Sequence, residues 1–219
     1  IPLAVRRVLV TVDRDRFTVN PTSCSPKKID TTFSSPYGAS VTKGKAFQAT
    51  ECARLGFRPR LTMRLVGRRQ TTTGRHPGIR ARVRQRRGEA GVRRAVVRLP
   101  RSLALDVENA QALCEFEDGT KPDLENHCPK GSIIGRARAV SPLLKRPLVG
   151  DVYFVKNIRI DRETGNTIRT LPMIIAALRG EVAINLRGNS NVGRANKLVT
   201  TFARVPDASK VALAALVDT

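Results

Sequence analysis

Gly78-Ile79-Arg80-Ala81-Arg82-Val83-Arg84-Gln85 lies inside a segment, Arg54 to Arg101, that reads RLGFRPRLTMRLVGRRQTTTGRHPGIRARVRQRRGEAGVRRAVVRLPR. Sixteen of its residues are Arg and its one carboxylate is Glu89. Ile79, Ala81 and Val83 alternate with Arg80, Arg82 and Arg84. A period of two puts the apolar set on one face of a strand and the guanidinium groups on the other. Leu61, Met63 and Leu65 alternate with Thr62, Arg64 and Val66. Ala95, Val97 and Leu99 alternate with Arg94, Val96 and Arg98. Three predicted strands therefore repeat one design, an apolar inner face beneath a largely arginine outer face. The connection Arg86-Arg87-Gly88 adds further cations beside them.

The whole chain carries the same bias. It has 219 residues and a net charge of +22, with 40 Lys and Arg against 18 Asp and Glu. Such a charge implies an anionic partner: nucleic acid, an acidic glycan, an anionic membrane surface or an acidic protein. A compositional explanation stands beside it, because 30 of the 40 cations are Arg, as a GC-rich genome favours. Hydrophobic content of 41% argues against disorder. Aromatic residues make up 4% and Trp is absent, so the core must be built from Val, Leu, Ile and Ala. No apolar run approaches the roughly 20 residues needed to span a bilayer as a helix.

Four cysteines are present, Cys24, Cys52, Cys114 and Cys128. An even count in a loop-rich β chain points to disulfides and an oxidising compartment. Three pairings are possible. The local one, Cys24 with Cys52 and Cys114 with Cys128, closes two modest loops and is preferred here. Free thiols remain an alternative. Zinc is a weaker one, because there is no CxxC pair and His76 and His127 lie far apart.

Outside the basic segment, short alternating runs separated by turn residues predict an antiparallel all-β chain of sandwich type. Strands are expected at Ala4–Val12, Ile29–Ser35, Val41–Thr50, Ile133–Val140, Val149–Lys156, Ile158–Thr170, Met173–Leu178, Glu181–Arg187, Leu198–Ala203 and Val211–Val217. Met173–Leu178 is apolar on both faces and fits a central strand. Arg162-Glu163-Thr164-Gly165-Asn166 reads as a hairpin tip and Gly188-Asn189-Ser190-Asn191 as a turn. One short helix is expected near residues 103–116, where Leu103, Val107, Ala110, Leu113 and Cys114 form a helical stripe. The following residues are acidic, with Glu115, Glu117, Asp118, Asp123 and Glu125 joining Asp106 and Glu108. They offer a counter-charge to the arginine face. The expected division is a small β domain, or the end of an upstream one, over 1–53, and a larger sandwich domain over 54–219.

No catalytic constellation emerges. There is no nucleophile elbow, P-loop, dinucleotide fingerprint or HExxH motif. His76 precedes a proline in a loop. His127 adjoins Cys128, whereas a Cys–His pair needs separate elements converging in space. The acidic segment lacks the spacing of a calcium loop. No cofactor or metal is expected. The polyanion-binding candidates are Arg64, Arg80, Arg82, Arg84, Arg86, Arg87, Arg94 and Arg98. The predicted strands lack the aromatic platforms on which RNA and single-strand binders stack bases. The first and last predicted strands are candidates for pairing with a neighbouring copy.

Several stretches also carry a resemblance. They include Ile1-Pro2-Leu3 with Arg6-Arg7, Asn20-Pro21-Thr22-Ser23-Cys24, Leu55-Gly56-Phe57-Arg58-Pro59-Arg60-Leu61 and His76-Pro77. Cys128-Pro129, Gly131-Ser132-Ile133-Ile134-Gly135, Ser141-Pro142-Leu143-Leu144, Thr200-Thr201-Phe202 and Pro206-Asp207 continue the order. Together they resemble a family of uncharacterised secreted, β-rich, cell-surface proteins of actinobacteria of the Thermoleophilia type. The resemblance implies an exported surface protein and supplies no activity. This chain departs from it in being more arginine-rich, and in reading Asp207-Ala208-Ser209 where relatives carry a second proline. The expectation is a non-enzymatic extracellular structural protein. It would self-associate into a fibre or layer, or adhere to an anionic surface. Nucleic-acid binding is the alternative.

Overall fold

The structure, a computed structural model, describes residues 7–15, 18, 20–86, 88–101, 103, 111–141, 144–161, 163–194, 197–203, 205 and 212–216. It is all-β and mainly antiparallel, with two sheets that share no strand. The smaller is a hairpin of β1 (Lys27–Ser34) and β2 (Ser40–Phe47). Pro36-Tyr37-Gly38 forms its turn, with Gly38 at φ 85° and its N–H donating to Ser35 O at 3.1 Å. Two strands cannot bury a core of their own, and both faces of this hairpin are exposed. Cys24 and Cys52 are joined by a disulfide that brackets it. Thr22 Oγ1 accepts a hydrogen bond at 2.8 Å from the N–H of Gly91, which lies between the Gly78–Arg84 and Ala95–Arg98 strands of the larger sheet.

The larger sheet contains β3 (Arg60–Val66), β4 (Gly78–Arg84), β5 (Ala95–Arg98), β6 (Ile133–Val140), β7 (Leu148–Ile160), β8 (Thr167–Leu178), β9 (Ile184–Val192), β10 (Leu198–Phe202) and β11 (Ala212–Leu216). Its order is β3-β4-β11-β6-β7-β8-β9-β10-β5. The middle of this order holds the most apolar strands. β8 lies between β7 and β9, as its two apolar faces predict. On one face Val152, Ala176, Leu178, Leu186 and Phe202 join Leu148 and Ala139. Ala95 and Val97 of the far edge strand pack against the same cluster. The sheet thus curls so that its inner face closes on one core.

On the opposite face of β7 and β8, Tyr153, Val155, Met173 and Ile175 are covered by a cap. The cap is the segment from Cys114 to Cys128, closed by the second disulfide. It contains the one α-helix among the described residues, α1 (Phe116–Thr120). A glycine inside a helix normally costs about 1 kcal/mol against alanine. Here Gly119 is buried, and a Cβ on it would collide with Val155 Cγ1. The glycine lets the helix sit directly on β7. The helix lies later than the sequence suggests. Residues 111–115 are not helical, and Cys114 bridges to Val155, because the disulfide holds this piece against β7. Residues 104–110 of the expected helix lie outside the described residues.

Other expectations are corrected by long-range pairing. Residues 7–12, the described part of the first predicted strand, belong to no strand. Gly188-Asn189-Ser190-Asn191 is not a turn but part of β9, paired with β10. Its composition follows from the partner strand. A Cβ on Gly188 would meet the Phe202 ring at 2.5 Å, and Ser190 Oγ meets Thr200 Oγ1 at 3.0 Å inside the core. Residues 181–183 precede β9 rather than open it, and Val182 is exposed. The last strand is interior, held between β4 and β6. Its pairing capacity is used within the chain.

Candidate polyanion-binding face

β3 and β4 pair antiparallel in a register that places Arg60 opposite Arg84, Thr62 opposite Arg82 and Arg64 opposite Arg80. Leu61–Val83, Met63–Ala81 and Leu65–Ile79 form the other face. The alternation read from the sequence is therefore realised as two arginine rows on one side of a hairpin. Side chains directly opposite in such a ladder have Cβ atoms about 4.5–5.5 Å apart. Charges held at that Cβ spacing would repel by about 0.8 kcal/mol in water; exposed arginine side chains splay apart and salt screens them, so this is an upper bound. The row extends inward. Arg82 and Arg138 both face Ala214 of β11, so Arg138 and, two residues earlier, Arg136 share the same side. Arg136 Nε lies 3.6 Å from Asp151 Oδ1.

The other candidates are distributed differently. Arg86 is exposed just beyond β4, where its backbone N–H donates to Glu89 Oε2 at 2.9 Å. Glu89, the single carboxylate of the basic segment, is buried and closes this turn. Arg87 lies outside the described residues. Arg98 ends β5 and Arg94 immediately precedes it; both are exposed, at the opposite edge of the sheet from β3. The three basic strands do not form one continuous surface. β11 and β6–β10 separate β5 from the other two, because strand order follows pairings that no local pattern records. Arg60, by contrast, completes the row, and the sequence reading passes over it although it continues the same period of two.

Among the described residues, no carboxylate of the acidic segment pairs with Arg60, Arg64, Arg82 or Arg84. The segment's described carboxylates serve the disulfide-closed cap. Glu115 pairs with Lys156, and Asp118 Oδ1 meets Lys121 Nζ at 2.8 Å. Asp123 Oδ2 faces His127 Nε2 at 3.4 Å. Glu125 receives both Nε and Nη2 of Arg179. Arg179 also donates to Asn185 Oδ1 at 2.9 Å and to Pro122 O at 2.9 Å, so it ties the cap to the ends of β8 and β9. The hydrogen bonds from Arg179 hold the Glu125 carboxyl below its ordinary range. Burial pushes the Tyr153 hydroxyl upward. Asp106 and Glu108 lie outside the described residues. Among the described residues, no ion pair involves Arg60, Arg64, Arg82 or Arg84.

All four cysteines are paired as the local reading prefers. Among the described residues no three His, Cys, Asp or Glu side chains cluster as metal ligands do. Nor is any helix there long and apolar enough to cross a membrane. No protein-family model, curated protein or solved structure matches the chain, so its function is argued from this geometry.

Proposed function

We propose that this chain is a non-enzymatic extracellular structural protein. It adheres to an anionic polymer or surface through the arginine rows of β3 and β4, and associates with further copies into a fibre or layer. The observation that carries the reading is the register of Arg60 against Arg84, two exposed arginines with no ion pair among the described residues. Like charges opposite one another destabilise a ladder unless an anion lies across them. Arginine forks also bind carboxylate, sulfate and phosphate through paired hydrogen bonds. Two disulfides support an oxidising compartment and hence a secreted protein. The resemblance to surface proteins of actinobacteria points the same way.

Nucleic acid is the second reading, because the same guanidinium rows suit phosphates. The outer face of β3 and β4 offers Arg, Thr and Val but no ring on which bases stack. Retention on acidic-polysaccharide beads and on DNA beads across a salt gradient tests the choice. Stronger retention on the polysaccharide at matched charge density is expected. Selective retention on DNA or RNA, abolished by nuclease, would replace the structural reading.

A further inference from the structure

β3 is an edge strand, and among the described residues nothing pairs with the backbone groups along its outer side. Edges of this length are ordinarily blunted or covered, because they template the addition of another strand. The inner face of this edge is also uncovered: Leu61, Met63 and Leu65 are 62%, 44% and 43% exposed. Elsewhere the same chain holds a segment with the complementary pattern and no sheet to join. Residues 7–13 read Arg-Val-Leu-Val-Thr-Val-Asp and lie in no strand. Val8, Val10 and Val12 fall on one side of an extended chain, and each is at least 60% exposed.

We infer that residues 7–13 of one copy add to the β3 edge of a second copy as an antiparallel strand, with Val12 opposite Leu61, Val10 opposite Met63 and Val8 opposite Leu65. Charge selects this register. With the three valines on the apolar side, the antiparallel direction places Asp13 opposite Arg60 on the arginine side, and Thr11 opposite Thr62. The parallel direction with the valines on the same side pairs Val8 with Leu61 and Val12 with Leu65, and places Arg7 opposite Arg60 instead. One arrangement puts a carboxylate at the end of an arginine row, and the other adds a cation to it. Both segments are seven residues long, so the ladder is complete at either end. Donor and acceptor are different surfaces of the molecule, so the contact is head-to-tail and propagates into open chains or rings.

The inference deepens the assembly part of the proposed function and rests on it. Disulfide trapping of the intact protein tests it apart from that reading. Val12→Cys protein is mixed with Leu61→Cys protein under mild oxidation, beside a mixture of Val8→Cys with Leu61→Cys. The first pair is expected to give a covalent dimer in at least tenfold excess over the second. A thiol-free check uses Asp13→Arg and Arg60→Asp. Each alone is expected to weaken association by up to about fivefold, as exposed charge pairs do, and the doubly exchanged protein to recover it. Wild-type oligomers without the Val12–Leu61 cross-link would overturn the edge and segment while leaving assembly standing. A protein that stays monomeric at all concentrations would overturn both. A protein carrying both Val12→Cys and Leu61→Cys that cross-links within one chain would show the segment closing on its own edge, which also overturns the inference.

Discussion

Replacing Arg60, Arg82 and Arg84 together by glutamine should move binding and stability in opposite directions. If each guanidinium neutralises one anionic group of a polymer, removing three lowers the slope of log K against log salt by about 2–3, taking about 0.7–0.9 per contact. The same change removes the repulsion across Arg60 and Arg84. That repulsion is at most about 0.8 kcal/mol in water, the value at the ~5 Å Cβ spacing, and about half as much at physiological salt. For a domain of this size, roughly 2–4 °C accompanies each kcal/mol, so Tm should rise by up to about 3 °C. Retention on acidic-polysaccharide beads between low and moderate salt gives the slope, and calorimetry without polymer gives Tm. Glutamine at Arg94 and Arg98, at the far edge of the sheet, serves as the comparison and should leave Tm within about 1 °C. An unchanged slope would refute the face as the binding surface. Weaker binding together with a lower Tm would refute the argument differently, because the arginines would then be supporting the fold.

Gly119→Ala should destabilise by about 1–3 kcal/mol through overpacking against Val155, read as a fall in Tm. Arg179→Met should weaken the cap and change its acid response. Glu125 is held below its ordinary carboxylate range of about 4.5 by Arg179, so its contribution is full above that pH and is lost as pH falls through the lowered value. Acid titration of Tm should therefore show a smaller drop below about pH 4.5 in the variant than in the parent. Under limiting reductant the Cys24–Cys52 bond should open before Cys114–Cys128, because both sulfurs of the latter pair are buried. Alkylation followed by peptide mapping gives the order. Losing the buried bond should then cost about 3 kcal/mol on a loop-entropy estimate.

Much of the fold is legible in the residues because the pattern is local. β4 announces itself by strict alternation, β8 by its two apolar faces, and the β7–β8 tip by Asp161 accepting the N–H groups of Glu163 and Thr164. The misses occur where a distant partner overrides local chemistry. Gly188 and Ser190 look like turn residues until Phe202 and Thr200 are placed beside them. Helical spacing before Cys114 yields to a disulfide and a bridge to Val155. The candidate site follows the same rule. Alternation reveals that arginines of β4 share a face, but only the register shows Arg60 among them and only the strand order removes Arg94 and Arg98. The ion pair of Arg179 with Glu125 joins residues 54 apart and leaves no trace in spacing.

The position of β11 has a consequence for biosynthesis. The arginine hairpin of β3 and β4 reaches β6 only through β11, whose residues leave the ribosome after those of β5 to β10. While the intervening residues emerge, the hairpin must wait with both of its edges open. Its dense positive charge then acts as a solubilising guard, keeping nascent chains apart until the missing strand arrives to join the two parts of the sheet.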